Sequence, residues 1–85
     1  MKTFNYVIND DIGIHARPAG LLAELCKGFK SKTTITRLGK TAEFSKLMMV
    51  MSLGIKCGDE VEIQAEGEDE ETAIAELEKF FHDNL

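Results

Sequence analysis

The sequence predicts an α+β fold, an open-faced sandwich in which three helices cover one face of a four-stranded antiparallel sheet. Two periodicities predict this fold. Segments that alternate apolar and polar residues indicate strands, and segments that repeat apolar residues at helical spacing indicate helices. Their order along the chain is β-α-β-β-α-β-α. The 85 residues show no linker or repeat, so we expect a single domain over 1–85.

The first half of the chain supplies a strand and a helix. Thr3–Asn9 alternates and places Phe4, Tyr6 and Ile8 on a buried face. A helix is predicted from Pro18, a residue that suits the first helical turn, and Gly28 is predicted to end it. Its predicted apolar stripe consists of Leu21, Leu22, Leu25 and Phe29.

The middle of the chain predicts a hairpin and a short helix. Lys32–Leu38 is rich in Thr and Ile, and Gly39-Lys40 connects it to a short strand through Ala42 and Phe44. Ser45 is predicted to be the N-cap of a short helix from Lys46 to Ser52.

The last third predicts a strand and the longest amphipathic helix. Glu60–Glu66 alternates between apolar and polar residues, as in a sheet with one wet face. Asp69, Glu70 and Glu71 put acidic charge at the start of the final helix, where the helix dipole favours it. Its predicted buried stripe consists of Ala73, Ile74, Leu77, Phe81 and Leu85.

Charge is distributed unevenly along the chain. The net charge is −5, but residues 1–58 carry nine of the ten basic residues and only four acids, whereas residues 59–85 carry eleven acids and Lys79. The acidic part is explained by a solvated helix, and the basic part suits an acidic partner. Because there is no dense Lys/Arg run, nucleic acid is not expected as a partner.

Cysteine spacing and hydropathy exclude further classes. Cys26 and Cys57 are far apart and form no CxxC pair, so we expect no metal site and two buried or half-buried hydrophobic side chains, with a free thiol as the alternative. The apolar run from Leu47 to Ile55 is too short to span a bilayer. With no signal sequence in evidence, the expected location is the cytoplasm.

Residues 11–20, DIGIHARPAG, carry the candidate chemistry. The candidate N-cap positions, Ala16 and Arg17, hold no capping side chain, so the first amides of the helix, around Pro18, are left free to bind an anion such as phosphate. Arg17 adds a planar fork of donors that suits phosphate oxygens. His15 adds a ring nitrogen that can accept a phosphoryl group. A lone histidine in a loop is more often a surface residue, but these neighbours favour the chemical interpretation.

Three segments, IHARPAG, SKLMMVMSLG and AEGEDEETAIAELEKF, together resemble the HPr family. These are the histidine-containing phosphocarriers of the bacterial phosphoenolpyruvate–sugar phosphotransferase system. The resemblance implies that His15 is phosphorylated on Nδ1 by Enzyme I and passes the group to IIA domains of sugar permeases. It also implies that Arg17 stabilises the phosphohistidine, that no metal or cofactor takes part, and that the protein is a carrier with no turnover of its own.

The resemblance further implies a partner surface beside His15. Leu47, Met48 and Met51 would contact Enzyme I and IIA domains, with Lys27 and Arg17 supplying charge, while Val50 and Leu53 belong to the core. A helix of six or seven residues cannot bury all its apolar side chains, which supports this division. We expect Lys46 to extend the positive rim of this surface, and we expect a monomer.

The chain departs from many relatives at the regulatory position. Where a serine phosphorylated by a dedicated kinase is common, this chain has Lys46, and Ser45 lies one residue earlier. Two interpretations follow. Either serine regulation is absent, which we favour, or Ser45 serves in its place and catabolite-control regulators are further partners. The alternative function is that of an HPr-like regulatory binding module without phosphoryl transfer.

Overall fold

A computed structural model describes all 85 residues, and the elements follow the predicted order. The strands are β1 (Lys2–Val7), β2 (Lys32–Arg37), β3 (Lys40–Glu43) and β4 (Glu60–Glu66). The helices are α1 (Ala16–Lys27), α2 (Leu47–Ser52) and α3 (Glu70–Asn84). The boundaries of β1, β2 and β3 differ from the predicted ones by one or two residues, as is usual where strand ends fray into turns.

The sheet is antiparallel throughout, with strand order β1-β4-β2-β3. The central strand β4 pairs with β1 and β2, so that Ile63 lies opposite Phe4 on one side and Ile35 on the other. Ile35 and Ile63 are fully buried because they point toward the face that the helices cover. This is the predicted open-faced sandwich.

One core of sixteen buried residues joins the sheet to all three helices. At its centre the ring of Phe81 from α3 makes edge-on contacts with Phe4, Tyr6 and Phe44, at centroid distances of 5.9, 5.6 and 6.3 Å. The predicted buried stripe of the last helix is confirmed for Ala73, Leu77, Phe81 and Leu85, and Ile74 is partly buried against the same core. Val50 and Leu53 also lie in the core, as expected. No helix is long and apolar enough to cross a membrane.

Two burial predictions are wrong. Leu21 is 47% exposed, because the buried face of α1 is formed by Pro18, Ala19, Leu22 and Cys26, and Leu21 lies one position outside that stripe. Cys57 is exposed because it lies in the turn before β4, outside every packed element. Cys26 is buried as expected, and its burial raises the thiol pKa. Both cysteines are free.

The role predicted for Ser45 as N-cap of the short helix is also wrong. Helix α2 begins at Leu47, and its N-cap is Lys46, whose carbonyl accepts hydrogen bonds from the amides of Met49 and Val50. No side chain caps this helix. Ser45 lies one residue too early to reach the free amides, and its side chain is exposed.

Asp69, at the start of α3, binds the loop that follows α1. It is the N-cap of α3, but its carboxylate accepts hydrogen bonds from the amides of Lys30 and Ser31 and from the Ser31 hydroxyl. The Ser31 hydroxyl, followed by the Lys30 amide, lowers the pKa of Asp69. Gly67 passes so close to Ser31 that a Cβ would lie 2.7 Å from the Ser31 Cα. These contacts join the α1–β2 and β4–α3 loops.

Candidate functional site

His15 is itself the N-cap of α1. The helix begins at Ala16, two residues before the predicted start, and His15 has an extended backbone with φ −108° and ψ −172°. No side chain caps the helix, and the amides of Ala16 and Arg17 have no acceptor in the protein. Pro18 has no N–H, so the first helical bond runs from the Ala19 amide to the His15 carbonyl at 3.0 Å. The predicted uncapped helix end is therefore present, with His15 at its N-cap position.

A tight loop presents His15. The Asp10 carboxylate accepts a hydrogen bond from the Ile12 amide at 2.9 Å, and the Asp10 carbonyl accepts one from Gly13 at 3.0 Å. Gly13 has φ +82°, a conformation that favours glycine. Ile14 is buried, and its amide donates to the Ile55 carbonyl at 3.1 Å. The residue before His15 is thus held by the segment that precedes β4.

The end of the last helix supports the other side of this loop. The amides of Asn9 and Asp10 donate to the main-chain oxygen of Leu85 at 2.6 and 2.9 Å. The side chain of Leu85 is buried in the core. The result is a shallow concavity at the start of α1, lined by Asp10, His15, Arg17, Pro18, Leu21 and Asn84.

The concavity is suited to an anion. His15 is half-buried and Arg17 is exposed, and the Arg17 guanidinium makes no ion pair within the protein. The only carboxylate that lines the site, Asp10, accepts a hydrogen bond from its own loop and none from α1. Two free amides, the positive end of the helix dipole and an unpaired guanidinium therefore share one end of α1 with the imidazole. No three His, Cys, Asp or Glu side chains lie close enough together to hold a metal ion.

An exposed apolar surface lies on α2, which packs beside α1. Met48 is 75% exposed and Met51 36% exposed, whereas Leu47 is partly buried against the core. Sequence reasoning missed Ile12, which is 66% exposed in the His15 loop, and the outward-facing Leu21 at the edge of the concavity. The helical phase of α1 could have indicated Leu21, since Ala19, Leu22 and Cys26 define a stripe without it. No local signal indicates Ile12.

The predicted basic rim is partly neutralised. The Lys27 Nζ lies 3.3 Å from a Glu24 carboxylate oxygen, and the Lys46 Nζ lies 3.7 Å from one of Glu43. Both pairs are solvent-exposed and join residues three apart, so they contribute little and can open when a partner binds. Ser45 lines a separate cleft that also contains Lys27, Lys30 and Lys32.

Comparison with known proteins places these features in a family context. A family model described as the HPr component phosphorylation site of the phosphotransferase system matches residues 2–83. The phosphocarrier protein HPr of Mycoplasma genitalium strain G37 is 40% identical over 85 residues, which cover 99% of this chain and 97% of that protein.

Solved structures agree with this match. The histidine-containing phosphocarrier protein of Mycoplasma superimposes with a TM-score of 0.93 at 38% identity, covering 96% of this chain and 93% of its own. An HPr dimer from Thermoanaerobacter tengcongensis superimposes with a TM-score of 0.77 at 35% identity, covering 98% of this chain and 95% of its own.

Proposed function

The chain belongs to the HPr family of phosphocarriers, and on that premise we propose that His15 accepts a phosphoryl group from phosphorylated Enzyme I and passes it to IIA domains of sugar permeases. The observation that carries the proposal is the pair of free amides, Ala16 and Arg17, at the helix end that His15 begins. Free amides aligned with a helix dipole bind the oxygens of a phosphoryl group without further rearrangement.

The transfer is a substitution at phosphorus between two histidines. The Nδ1 lone pair of His15 attacks the phosphorus, and the P–N bond to the donor imidazole breaks in line with the new bond. The electron pair of the broken bond returns to the donor ring. Once the group is on His15, the negative charge of its three oxygens must be stabilised, and the positive, uncapped end of α1 provides that stabilisation.

Arg17 supplies the second part of the charge balance. Its guanidinium is exposed and unpaired, so it can turn toward the phosphoryl oxygens without first breaking an ion pair. A planar fork of N–H donors matches two oxygens of the group at once. Arg17 therefore stabilises both the phosphohistidine and the state in which the group is shared with a partner.

Docking uses the apolar surface of α2 beside the site. Leu47, Met48 and Met51 would contact Enzyme I and the IIA domains in turn, since methionine adapts to different surfaces. Lys27 and Lys46 would add charge at the rim once their neighbouring carboxylates release them. A small surface of this kind suits a carrier that must bind and release quickly. In this role the protein acts in the cytoplasm as a monomer.

Phosphorylation of Ser45, in place of the missing serine at position 46, is the alternative to a protein without serine control. Ser45 does not have the capping role that the sequence predicted for it, because Lys46 is the N-cap. Ser45 is exposed and lines a cleft with three lysines and one carboxylate, Glu43, so that positive charge is in excess and a phosphate can be accepted. We propose that serine control is absent. Catabolite-control regulators would be partners only if Ser45 is phosphorylated.

One assay tests the proposed function. Incubation with Enzyme I and phosphoenolpyruvate should produce an acid-labile, base-stable adduct of one phosphoryl group. The adduct should disappear in His15→Ala and persist in His82→Ala, since His82 lies near the end of α3 against Tyr6. An unmodified wild-type protein, or an adduct that survives His15→Ala, would contradict the proposal.

A further inference from the structure

The segment between α2 and β4, residues 53–59, is the support on which the His15 loop lies. The Ile14 amide donates to the Ile55 carbonyl at 3.1 Å, and the Gly58 amide donates to the Ile8 carbonyl at 2.8 Å. The Ile8 amide in turn donates to the Asp59 carbonyl at 3.0 Å. The backbone on both sides of residues 9–13 therefore follows the position of this 53–59 segment.

Arg37, at the end of β2, holds both ends of the 53–59 segment. Its Nη1 donates to the Leu53 carbonyl at 2.9 Å, immediately after the last turn of α2. Its Nε lies 2.9 Å from the Asp59 Oδ2. The Nε atom is buried and its N–H makes no hydrogen bond, so this second contact is an ion pair and not an aligned hydrogen bond.

Asp59 turns that ion pair into a constraint on the backbone. The same Oδ2 accepts a hydrogen bond from the Lys56 amide at 2.8 Å, and the Asp59 amide donates to the Lys56 carbonyl at 3.0 Å. The Lys56 amide is the main reason that the pKa of Asp59 is lowered, and the Arg37 charge adds to it. The carboxylate is thus shared between the turn at 56–59 and the guanidinium.

We infer that Arg37 is a positioning residue for His15, acting through the 53–59 segment and the loop that rests on it. The inference rests on the proposed function. Arg37 does not line the concavity around His15, so it touches no reacting atom. Its guanidinium donates to the Leu53 carbonyl through one nitrogen and forms an ion pair with the Asp59 carboxylate through another, and the single ammonium of a lysine does not reproduce both contacts. If the 53–59 segment were loose, His15 would remain the N-cap of α1 but its imidazole would be less well oriented for transfer.

Stability alone is the competing explanation, and the Asp69 contacts provide a matched control. Asp69 also joins two loops through its carboxylate, but it does so at the opposite end of the sheet, against Lys30 and Ser31. Asp69→Asn should therefore weaken the fold without touching the segment beneath His15. Comparison of this variant with Arg37→Met separates positioning from general destabilisation.

The experiment measures rapid phosphoryl transfer from Enzyme I together with amide hydrogen exchange. We expect Arg37→Met to lower the maximal transfer rate about tenfold with little change in the half-saturating concentration, because misaimed reacting groups slow the step itself. The Ile14 and Gly58 amides should exchange faster in that variant. Arg37→Lys, which keeps the charge beside Asp59, should recover part of the rate. Asp69→Asn should leave both readouts near those of the wild type.

Two results would overturn the inference. One is an unchanged exchange rate at Ile14 and Gly58 in Arg37→Met. The other is an equal loss of transfer rate in Arg37→Met and Asp69→Asn. If Arg37→Met does not fold, Arg37→Lys and Asp59→Asn carry the same comparison. Failure of the wild-type protein to accept a phosphoryl group would instead reject the proposed function, while the exchange measurement would still report whether Arg37 holds the loop.

Discussion

Gly13→Ala tests whether the His15 loop is positioned by close backbone contact. Gly13 has φ +82°, and a Cβ built there would collide with the Ile55 carbonyl oxygen and lie 2.5 Å from the Lys56 Cα. Both obstacles are backbone atoms, which cannot turn away as a flexible side chain can. The loop or the 53–59 segment must therefore move.

The expected loss of stability has two parts. An L-residue at positive φ costs about 1–2 kcal/mol, and forcing extra atoms into a packed site adds about 1–3 kcal/mol. Gly13→Ala should then lose about 2–5 kcal/mol of unfolding free energy. Gly39 has nearly the same φ, +79°, but no atom within 4 Å of its Cβ position. Gly39→Ala should lose only the first part, about 1–2 kcal/mol.

Urea unfolding of the two variants isolates the collision. The restriction of the unfolded chain by alanine is common to both, so it cancels in the difference. The remaining difference, about 1–3 kcal/mol, belongs to the contact with the 53–59 segment. If the two variants lose the same unfolding free energy, the close approach at Gly13 does not constrain the loop and the reasoning fails.

Three further substitutions test other parts of the molecule. The pKa of Asp69 is lower in the folded protein, so its contribution to the unfolding free energy is complete above about pH 4 and is lost as pH falls through the folded-state pKa. Asp69→Asn should therefore make the unfolding free energy less dependent on pH below about pH 4. Unfolding curves of the wild type and the variant at acidic pH would test this, and the same pH dependence in both would contradict it. Phe81→Ala should lose about 3–5 kcal/mol by leaving a cavity among three rings, which calorimetry would detect as a lower Tm, and a near-native Tm would be inconsistent with its central place. Lys46→Glu should weaken docking to Enzyme I and reduce the salt sensitivity of transfer, and unchanged rates at low and high salt would remove Lys46 from the docking surface.

Much of the fold could be read from local patterns. Alternation in residues 60–66 and the helical stripe of the last segment reflect which side of each element meets the core, and that is a property of neighbouring residues. The uncapped start of α1 was readable for the same reason, because a cap requires particular side chains at particular positions. His15 and Arg17 became candidate site residues for that reason.

The remaining features depend on residues far apart in the sequence. Ser45 has the chemistry of a cap, but packing starts α2 one residue later and makes Lys46 the N-cap. Leu21 and Cys57 are apolar in type, yet the orientation of α1 and the turn before β4 leave them exposed.

The sequence by itself determined the order of the elements, the buried side of each amphipathic segment and the presence of free amides beside a histidine. Only the tertiary structure decided how that histidine is supported. Arg37, Leu53 and Asp59 meet across the end of the sheet, and Gly13 passes against Ile55. Periodicity and capping report on neighbours along the chain, whereas these contacts exist only after the chain has folded.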